Sequence, residues 1–349
     1  MLRPSDEAEA PAALLRRCRV HAPTPLLALP GLARALGVAA VLAKDEGQRP
    51  LGSFKALGGV YAGLRALARS CGVPVAALLD PARRHPALPA LVCASDGNHG
   101  LAVAAAARLA GAPARVFLPA SVPGARAARI AAKGAEIVRI AGTYDDAVRA
   151  AAAAAGTGRA LLVADTGTDP DDPVIGDVMA GYGVIAEEIR AQLAESGQPP
   201  PTHLFVQAGV GGLAAAMAEG LHGMMAPPGR IVVVEPARTA CVGAALAAGR
   251  PVAVPGALDT VAEMLSCGEA SAPAFAVLRR HGAVAVAVEE AELAEAPGYL
   301  LGMGGPATTP SGAAGLAGLR AALADPRCGL GGASRIMLLI TEAPLYQRP

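Results

Sequence analysis

Short runs of apolar, mostly β-branched residues alternate with helical stretches along most of the chain. Strands are predicted over residues 41–44, 91–94, 115–119, 136–140, 160–165, 203–208, 230–236, 283–288 and 335–341, and helices over 53–69 and 98–110. Continuous apolar runs are typical of parallel strands that helices cover on both faces. The alternation of strands and helices therefore predicts a doubly wound α/β architecture.

Composition and net charge exclude several classes of protein. The 349 residues are 53% hydrophobic and 17% charged, which is typical of a well-buried protein with one large or two modest domains. Lysine and arginine total 30 against 29 acidic residues, so the net charge is only +1. Without a basic surplus, neither nucleic acid nor a membrane surface is an expected partner.

The N-terminus and the cysteines add two expectations. The N-terminal segment contains acidic residues and no apolar core of a secretory signal, and no apolar run reaches the ~20 residues that span a membrane. We therefore expect a cytoplasmic protein. The six cysteines show no CxxC pair and no Cys/His spacing typical of zinc sites, so no metal is expected.

One lysine stands among small and apolar residues, in the segment GSFKALGG at 52–59. A desolvated lysine such as Lys55 has a lowered pKa and can be a nucleophilic amine near neutral pH. Taken alone, Lys55 would be better interpreted as a helix lysine whose ammonium reaches solvent. Two further segments favour the nucleophilic interpretation.

The segment QAGVGG at 207–212 joins a predicted strand to a predicted helix. Gly209, Val210, Gly211 and Gly212 form a turn whose N–H groups can converge on an anion at a helix N-terminus. The turn is also compatible with an ordinary strand-to-helix connection. It is not a GxGxxG fingerprint, and no acidic residue at the expected spacing indicates a dinucleotide.

The segment SDGNHG at 95–100 forms another strand-to-helix junction. Ser95 and the backbone amides of the turn can receive a substrate carboxylate, and Asn98 can hydrogen-bond a phenolic oxygen. Asp96 is either a functional acid or a helix N-cap, which is a common role for aspartate. For His99 we prefer the interpretation of a packed histidine at the start of the helix.

Together these three segments predict a cofactor. A lysine that can form an imine, a turn that grips a carboxylate and an amide nest that grips a phosphate are what pyridoxal 5'-phosphate requires. The sequence therefore predicts a pyridoxal-phosphate enzyme acting on an amino acid.

The order of the motifs carries a family resemblance. The segments are KDE at 44–46, GSFKALGG at 52–59, SDGNHG at 95–100, YDD at 144–146, DT at 165–166, QAGVG at 207–211, VEP at 234–236 and CGE at 267–269. From about residue 25 to 342 the chain resembles the fold-type II pyridoxal-phosphate enzymes, which include tryptophan synthase β and the serine and threonine dehydratases. Within that group it resembles diaminopropionate ammonia-lyase, because dehydratases usually carry serine where Asp96 stands.

The resemblance implies an activity and roles for named residues. The family eliminates ammonia from 2,3-diaminopropionate and yields pyruvate and two molecules of ammonia. Lys55 would hold the cofactor as an imine and act as a base on one face, and Asp96 would act from the opposite face. Asp165 would bind or deprotonate the second amine of the substrate. The implied substrate-binding residues are Ser95, Asp96, Gly97 and Asp165, and the implied cofactor-binding residues are Phe54, Lys55, Asn98, Gly209, Val210, Gly211, Gly212 and Thr341.

The resemblance also implies an architecture. Two parallel-sheet α/β lobes are expected, a large cofactor-binding domain of residues 1–68 and 176–349 and a small domain of 69–175. The cofactor is expected in the cleft between them, at the C-terminal ends of strands, and the assembly is expected to be a homodimer. Thr341 would face the pyridine nitrogen, and a neutral hydroxyl there makes the ring a weaker electron sink. Cys241 and Cys267 match family positions that lie close together and that could form a disulfide.

Departures from the family leave alternatives open. The family's GESGA segment stands here as Thr309-Pro310-Ser311-Gly312-Ala313 without the acid, Ala343 replaces a glycine, and the region 298–310 is shorter. The first alternative is a serine or threonine dehydratase, or a related β-elimination or replacement enzyme. The second is a non-catalytic protein that binds pyridoxal phosphate. Intact Lys55, Asp96 and Asp165 disfavour this second alternative.

Overall fold

A computed structural model describes residues 10–18, 21–80, 87–156 and 158–345. Ten strands are named β1 to β10: Leu26–Ala28, Ala40–Asp45, Ala90–Ala94, Ala114–Pro119, Glu136–Ile140, Ala160–Leu162, His203–Gln207, Arg230–Pro236, Val284–Val288 and Arg335–Ile340. The helices are named α1 to α13: Pro11–Arg17, Pro30–Leu36, Lys55–Cys71, Val75–Leu78, Asn98–Ala110, Gly124–Ala131, Tyr144–Ala155, Pro173–Ser196, Gly212–Leu221, Cys241–Ala248, Ala272–Arg280, Glu290–Gly302 and Pro310–Ala322.

The described residues form two compact units. The first contains the residues up to Ala22 together with Lys55–Asp165 and Pro173–Val184, and the second contains Pro23–Phe54, Thr166–Asp172 and the residues from Ile185 onward. Each unit has its own sheet flanked by helices. The predicted functional domains of 1–68 with 176–349 and of 69–175 stay a prediction.

The first unit is built on a four-stranded sheet in the order β5-β4-β3-β6, with every pair parallel. Helix α7 covers one side of it, and Val92, Phe117 and Ala147 share a buried core. Helices α3 and α5 pack against each other through small residues. A Cβ added at Gly59 would lie 2.5 Å from the Cβ of Ala102, so only glycine permits this close approach.

The second unit is built on a six-stranded sheet in the order β1-β2-β10-β7-β8-β9. All pairs are parallel except β1 with β2. The four inner strands β2, β10, β7 and β8 are almost fully buried, and the two outer strands β1 and β9 are partly exposed. Phe205, Val232, Ile336 and Leu338 belong to one core with α13 residues such as Leu316. The fold class is the predicted one, two α/β units with parallel sheets.

Several element boundaries differ from the sequence predictions by one to three residues, and two of these differences bear on the candidate site. Helix α3 begins at Lys55 and not at Ser53, because Ser53 forms an antiparallel bridge with Glu342. Strand β6 ends at Leu162, and Val163 adds one last hydrogen bond from its N–H to the carbonyl of Val92. The chain then leaves the sheet, which gives Asp165 a position beyond its end. The three-residue strand β1 was not predicted.

The KDE segment holds the chain that leads into α3. Lys44 Nζ lies 2.7 Å from a carboxylate oxygen of Glu188, and Arg49 lies 2.6 Å from Glu46 and 2.8 Å from Glu188. The side chains of Lys44, Glu46 and Arg49 are inaccessible to solvent. Buried charges persist only when they are paired and hydrogen-bonded, so this network fixes the conformation of residues 44–49.

Within the part of the chain that the structure describes, no helix is both long and apolar enough to cross a bilayer.

Candidate active site

Lys55 and Asp165 meet in the first unit, although 110 positions separate them in the sequence. Lys55 Nζ lies 2.5 Å from Asp165 Oδ2, and the two side chains are only 22% and 11% exposed. Burial opposes ionisation of Asp165, but the charges of Lys55 and His99 and the hydrogen bond from Lys55 outweigh it. The pKa of Asp165 therefore lies well below its ordinary value, and the carboxylate is ionised.

His99 completes this group from the first turn of α5. Its ring is buried, with Nε2 at 2.7 Å from the carbonyl oxygen of Val163 and Nδ1 at 3.9 Å from Asp165 Oδ2. Burial lowers the pKa of His99, aided by the Lys55 charge and opposed by Asp165. The imidazole is therefore neutral. The sequence interpretation of a packed histidine described its burial and missed its position beside Asp165.

The turn of residues 95–100 is shaped by Ser95. Its buried Oγ accepts hydrogen bonds from the N–H groups of Gly97 at 2.9 Å and Gly100 at 2.8 Å. These two amides are thereby engaged within the turn. Because α5 begins at Asn98, the N–H of Gly100 is one of the first-turn donors of that helix, and the turn itself satisfies it.

Asp96 does not cap the helix. Gly97 occupies the N-cap position of α5, and no side chain of the described residues caps it. Asp96 and Asn98 are both half-buried. The helix-cap alternative for Asp96 therefore does not describe this structure.

Tyr182 of α8 also belongs to the surroundings of Lys55. Lys55 Nζ lies 5.8 Å from the centroid of the Tyr182 ring. Burial raises the pKa of the Tyr182 phenol to about 12, so the hydroxyl keeps its proton. Tyr182 was not among the predicted site residues, because one tyrosine inside an apolar helix carries no motif.

The second unit contains the glycine turn. Gly211 is the N-cap of α9 with a φ of 97°, and no side chain of the described residues caps that helix. A positive φ of this size is readily adopted only by glycine. The uncapped first-turn N–H groups of α9 and the positive end of its dipole are features that can bind an anion.

Thr341 follows the last strand of the same unit. The residue is buried, and its Oγ1 lies 3.2 Å from Nε2 of Gln207, the residue that ends β7. The Thr341 carbonyl oxygen accepts a hydrogen bond from the N–H of Phe54 at 3.2 Å. Strands β7 and β10 are parallel neighbours in the sheet. The glycine turn and Thr341 follow these two strands, so both lie at the C-terminal ends of the strands.

Comparison with known proteins decides the family. The model of the pyridoxal-phosphate-dependent enzyme family matches residues 18–342, nearly the whole chain. This protein is a pyridoxal-phosphate-dependent enzyme. The predicted cofactor, pyridoxal 5'-phosphate, is that of its family.

Two relatives and one solved structure show which members of the family this pyridoxal-phosphate enzyme is similar to. Diaminopropionate ammonia-lyase of Salmonella typhimurium is 36% identical over 74% of this chain and 67% of its own length. The crystal structure of holo diaminopropionate ammonia-lyase from Escherichia coli superposes with a TM-score of 0.84 at 28% identity, covering 97% of this chain and 90% of that one. L-threonine ammonia-lyase of Geobacter sulfurreducens is 33% identical over 58% of this chain and 47% of its own length.

The residues of this chain fit the cofactor. In the first unit Lys55 has an amine paired with an ionised acid. In the second unit the uncapped α9 terminus has amides of the kind that would hold a phosphate, and Thr341 has a buried hydroxyl of the kind that would face a ring nitrogen. A Cβ at Gly209 would lie 2.9 Å from the sulfur of Cys267, so this turn has no room for a larger residue. Among the described residues, no cluster of His, Cys, Asp and Glu could hold a metal.

Two cysteines flank the glycine turn as thiols. Cys241 and Cys267 do not form the disulfide that the family resemblance allowed. Cys241 Sγ donates to the carbonyl oxygen of Gly209 at 3.3 Å, and burial raises the pKa of its thiol. Nearby, burial raises the pKa of Glu235 to about 7, and its carboxylate accepts the N–H groups of Val242 and Gly243 at the start of α10.

We expect Gly211→Val to weaken cofactor binding. Valine disfavours a φ of 97°, and its Cβ would meet Val242 Cγ2 at 3.2 Å. Strain of about 1–3 kcal/mol in the turn corresponds to a roughly 10- to 100-fold higher cofactor dissociation constant. Titrating the apoenzyme with pyridoxal phosphate measures it. Gly298→Val is the control, because a Cβ there meets no atom within 4 Å; an unchanged affinity of Gly211→Val would remove the phosphate role from this turn.

Proposed function

We propose that this enzyme eliminates ammonia from 2,3-diaminopropionate and yields pyruvate and two molecules of ammonia. The reaction breaks the Cα–H and Cβ–N bonds, and the electrons of the Cα–H bond form the Cα–Cβ double bond. Water then hydrolyses the released enamine to pyruvate and the second ammonia. When bound, pyridoxal phosphate supplies the electron sink that makes the Cα proton acidic.

The position of the Asp165 carboxylate beside an ammonium group is the observation that carries this proposal. The carboxylate is mostly buried, and an ammonium group, that of Lys55, already lies 2.5 Å from it. A β-ammonium departs as neutral ammonia and needs no added proton. A β-hydroxyl departs as hydroxide and needs a proton donor, which an ionised carboxylate with a depressed pKa does not provide. The site therefore suits an amine leaving group.

The remaining residues have roles that follow from their positions. Lys55 Nζ attaches the cofactor and takes the Cα proton from one face, and Asp96 takes it from the other face. The substrate carboxylate and the cofactor oxygen are oriented by the first turn of α5, by the turn that Ser95 and Gly97 shape, and by Asn98. In the second unit, Gly209, Val210, Gly211 and Gly212 bind the phosphate, and Thr341, beside Phe54, faces the ring nitrogen. The similarity to diaminopropionate ammonia-lyase of Salmonella typhimurium, at 36% identity, supports the proposed reaction.

A serine or threonine dehydratase is the second candidate. The similarity to L-threonine ammonia-lyase supports it, and so does the changed segment at the start of α13. There Thr309 caps the helix and lies 2.5 Å from a carboxylate oxygen of Glu342, where the diaminopropionate family resemblance implies an acid in the segment itself.

A substrate panel distinguishes the two candidates. The holoenzyme is given D- and L-2,3-diaminopropionate, D- and L-serine and L-threonine, and both the 2-oxoacid and ammonia are measured. We expect two ammonia molecules per pyruvate from diaminopropionate and little product from the hydroxy amino acids. Asp165→Asn should lower turnover of diaminopropionate by about 10²- to 10⁴-fold. Faster turnover of serine or threonine than of either diaminopropionate isomer would replace the proposal with the dehydratase.

A cytoplasmic location and a homodimeric assembly are part of the proposal. Cell fractionation and sedimentation at working concentration test them independently of the activity.

A further inference from the structure

One ring nitrogen of the neutral His99 side chain has no hydrogen-bond partner among the described residues. The ring is 4% exposed, and its Nδ1 is a buried atom without a hydrogen-bond partner among the described residues. Buried polar atoms in folded proteins usually have a hydrogen-bond partner, and one that lacks a protein partner can be satisfied by a bound molecule or can have a catalytic role. We therefore expect a bound molecule to donate a hydrogen bond to Nδ1.

The tautomer of His99 follows from its other nitrogen. Nε2 lies 2.7 Å from the Val163 carbonyl oxygen. A carbonyl oxygen can only accept a hydrogen bond, so Nε2 carries the proton and donates it. In the neutral ring Nδ1 is then an acceptor.

Two acceptors consequently face each other at a short distance. His99 Nδ1 and Asp165 Oδ2 are 3.9 Å apart, a spacing that one ammonium nitrogen bridges with two hydrogen bonds of about 2.9 Å. A hydroxyl has one proton to donate and cannot satisfy both acceptors. Asp165 already holds the ammonium of Lys55 in this structure, so the carboxylate is placed to receive such a group.

We propose that His99 is a specificity-determining residue whose Nδ1, together with Asp165, binds the β-ammonium of the substrate. This inference rests on the proposed function, in which a β-ammonium is the leaving group. His99 keeps the group protonated and oriented until the Cβ–N bond breaks. The electron pair of that bond leaves with the nitrogen as ammonia, and no proton needs to be delivered from His99.

Two amide substitutions separate this role from a structural one. The amide nitrogen of glutamine reaches the position of His Nε2, so His99→Gln retains the donor to Val163 and removes the acceptor at Nδ1. The amide oxygen of asparagine reaches the position of His Nδ1, so His99→Asn retains an acceptor there and loses the bond to Val163. A packed histidine would tolerate glutamine better, and the proposed role predicts the opposite order for amine recognition.

The test is equilibrium binding of two non-reacting probes to the holoenzyme. α-Methyl-2,3-diaminopropionate and α-methylserine have no Cα proton, so neither can be eliminated, and calorimetry or the cofactor absorbance gives their dissociation constants. In the wild type the amine probe should bind more tightly than α-methylserine. His99→Gln should weaken the amine probe by about 10- to 100-fold, because hydrogen bonds to charged groups are strong, and leave α-methylserine nearly unchanged. His99→Asn should keep more of the amine preference. Equal losses for both probes, or no loss in His99→Gln, would overturn the proposal.

A measurement on the wild type does not depend on how the variants fold. In holoenzyme labelled with 15N-histidine, the Nδ1 resonance of His99 should report an unprotonated nitrogen that shifts when the amine probe binds. A protonated Nδ1, or an equal shift with α-methylserine, would overturn the proposal. Failure of the proposed function looks different: the wild type would turn over hydroxy amino acids faster than diaminopropionate in the substrate panel, whatever the variants bind.

Discussion

Lys55→Arg is expected to abolish turnover of every substrate, with a loss of about 10⁴-fold or more. Arginine keeps a positive charge beside Asp165, so the ion pair that shapes this part of the first unit is retained. A guanidinium neither attaches the cofactor covalently nor releases a proton at accessible pH. The variant therefore removes the nucleophile and the base while preserving the local charge.

The assignment of Lys55 has a direct chemical measurement. Borohydride reduction of the wild-type holoenzyme, followed by peptide mapping, should find the cofactor on the peptide that carries Lys55 and no label in Lys55→Arg. Lys133→Arg serves as the control, since Lys133 lies just after α6 and outside both groups of candidate residues; it should keep full activity. Label on Lys44 or Lys133 would show that another lysine holds the cofactor.

Asp96→Asn is expected to eliminate most activity on D-2,3-diaminopropionate, by about 10²- to 10⁴-fold, and to leave more activity on the L isomer. Asparagine keeps the size and hydrogen-bonding capacity of the side chain and removes its basicity. Because the α-proton of the two isomers points to opposite faces, the loss falls on the isomer whose proton Lys55 does not reach.

The structure sharpens this comparison, because Gly97 and not Asp96 is the N-cap of α5. A capping role would have made asparagine nearly neutral, since it caps about as well as aspartate. Rates for both isomers, with thermal stability measured in parallel, give the result. Equal loss on both isomers would assign the Asp96 carboxylate to substrate binding and not to stereospecific proton transfer.

Many helices and strands of this protein can be predicted from local sequence patterns. Helix α5 and strands β5 and β8 begin and end at the predicted residues, because continuous apolar runs and strand-to-helix turns are local signals. The short edge strand β1 gave no such signal, since three partly exposed residues form it. The early end of β6 could not be predicted from the sequence either, because the pairing of β6 with β3 determines where the strand ends.

By itself the sequence determined the cofactor, the α/β class and the three segments that carry Lys55, Asp96 and Gly211, because each depends on a residue in a local motif. Only the tertiary structure decided which side chains meet. Asp165 reaches Lys55 because β6 pairs with β3 while α3 packs on α5. The position of His99 is decided in the same way: the hydrogen bond to the Val163 carbonyl fixes its tautomer, and the fold places its other ring nitrogen beside Asp165. Such long-range contacts depend on sheet order and helix packing, which no local pattern encodes.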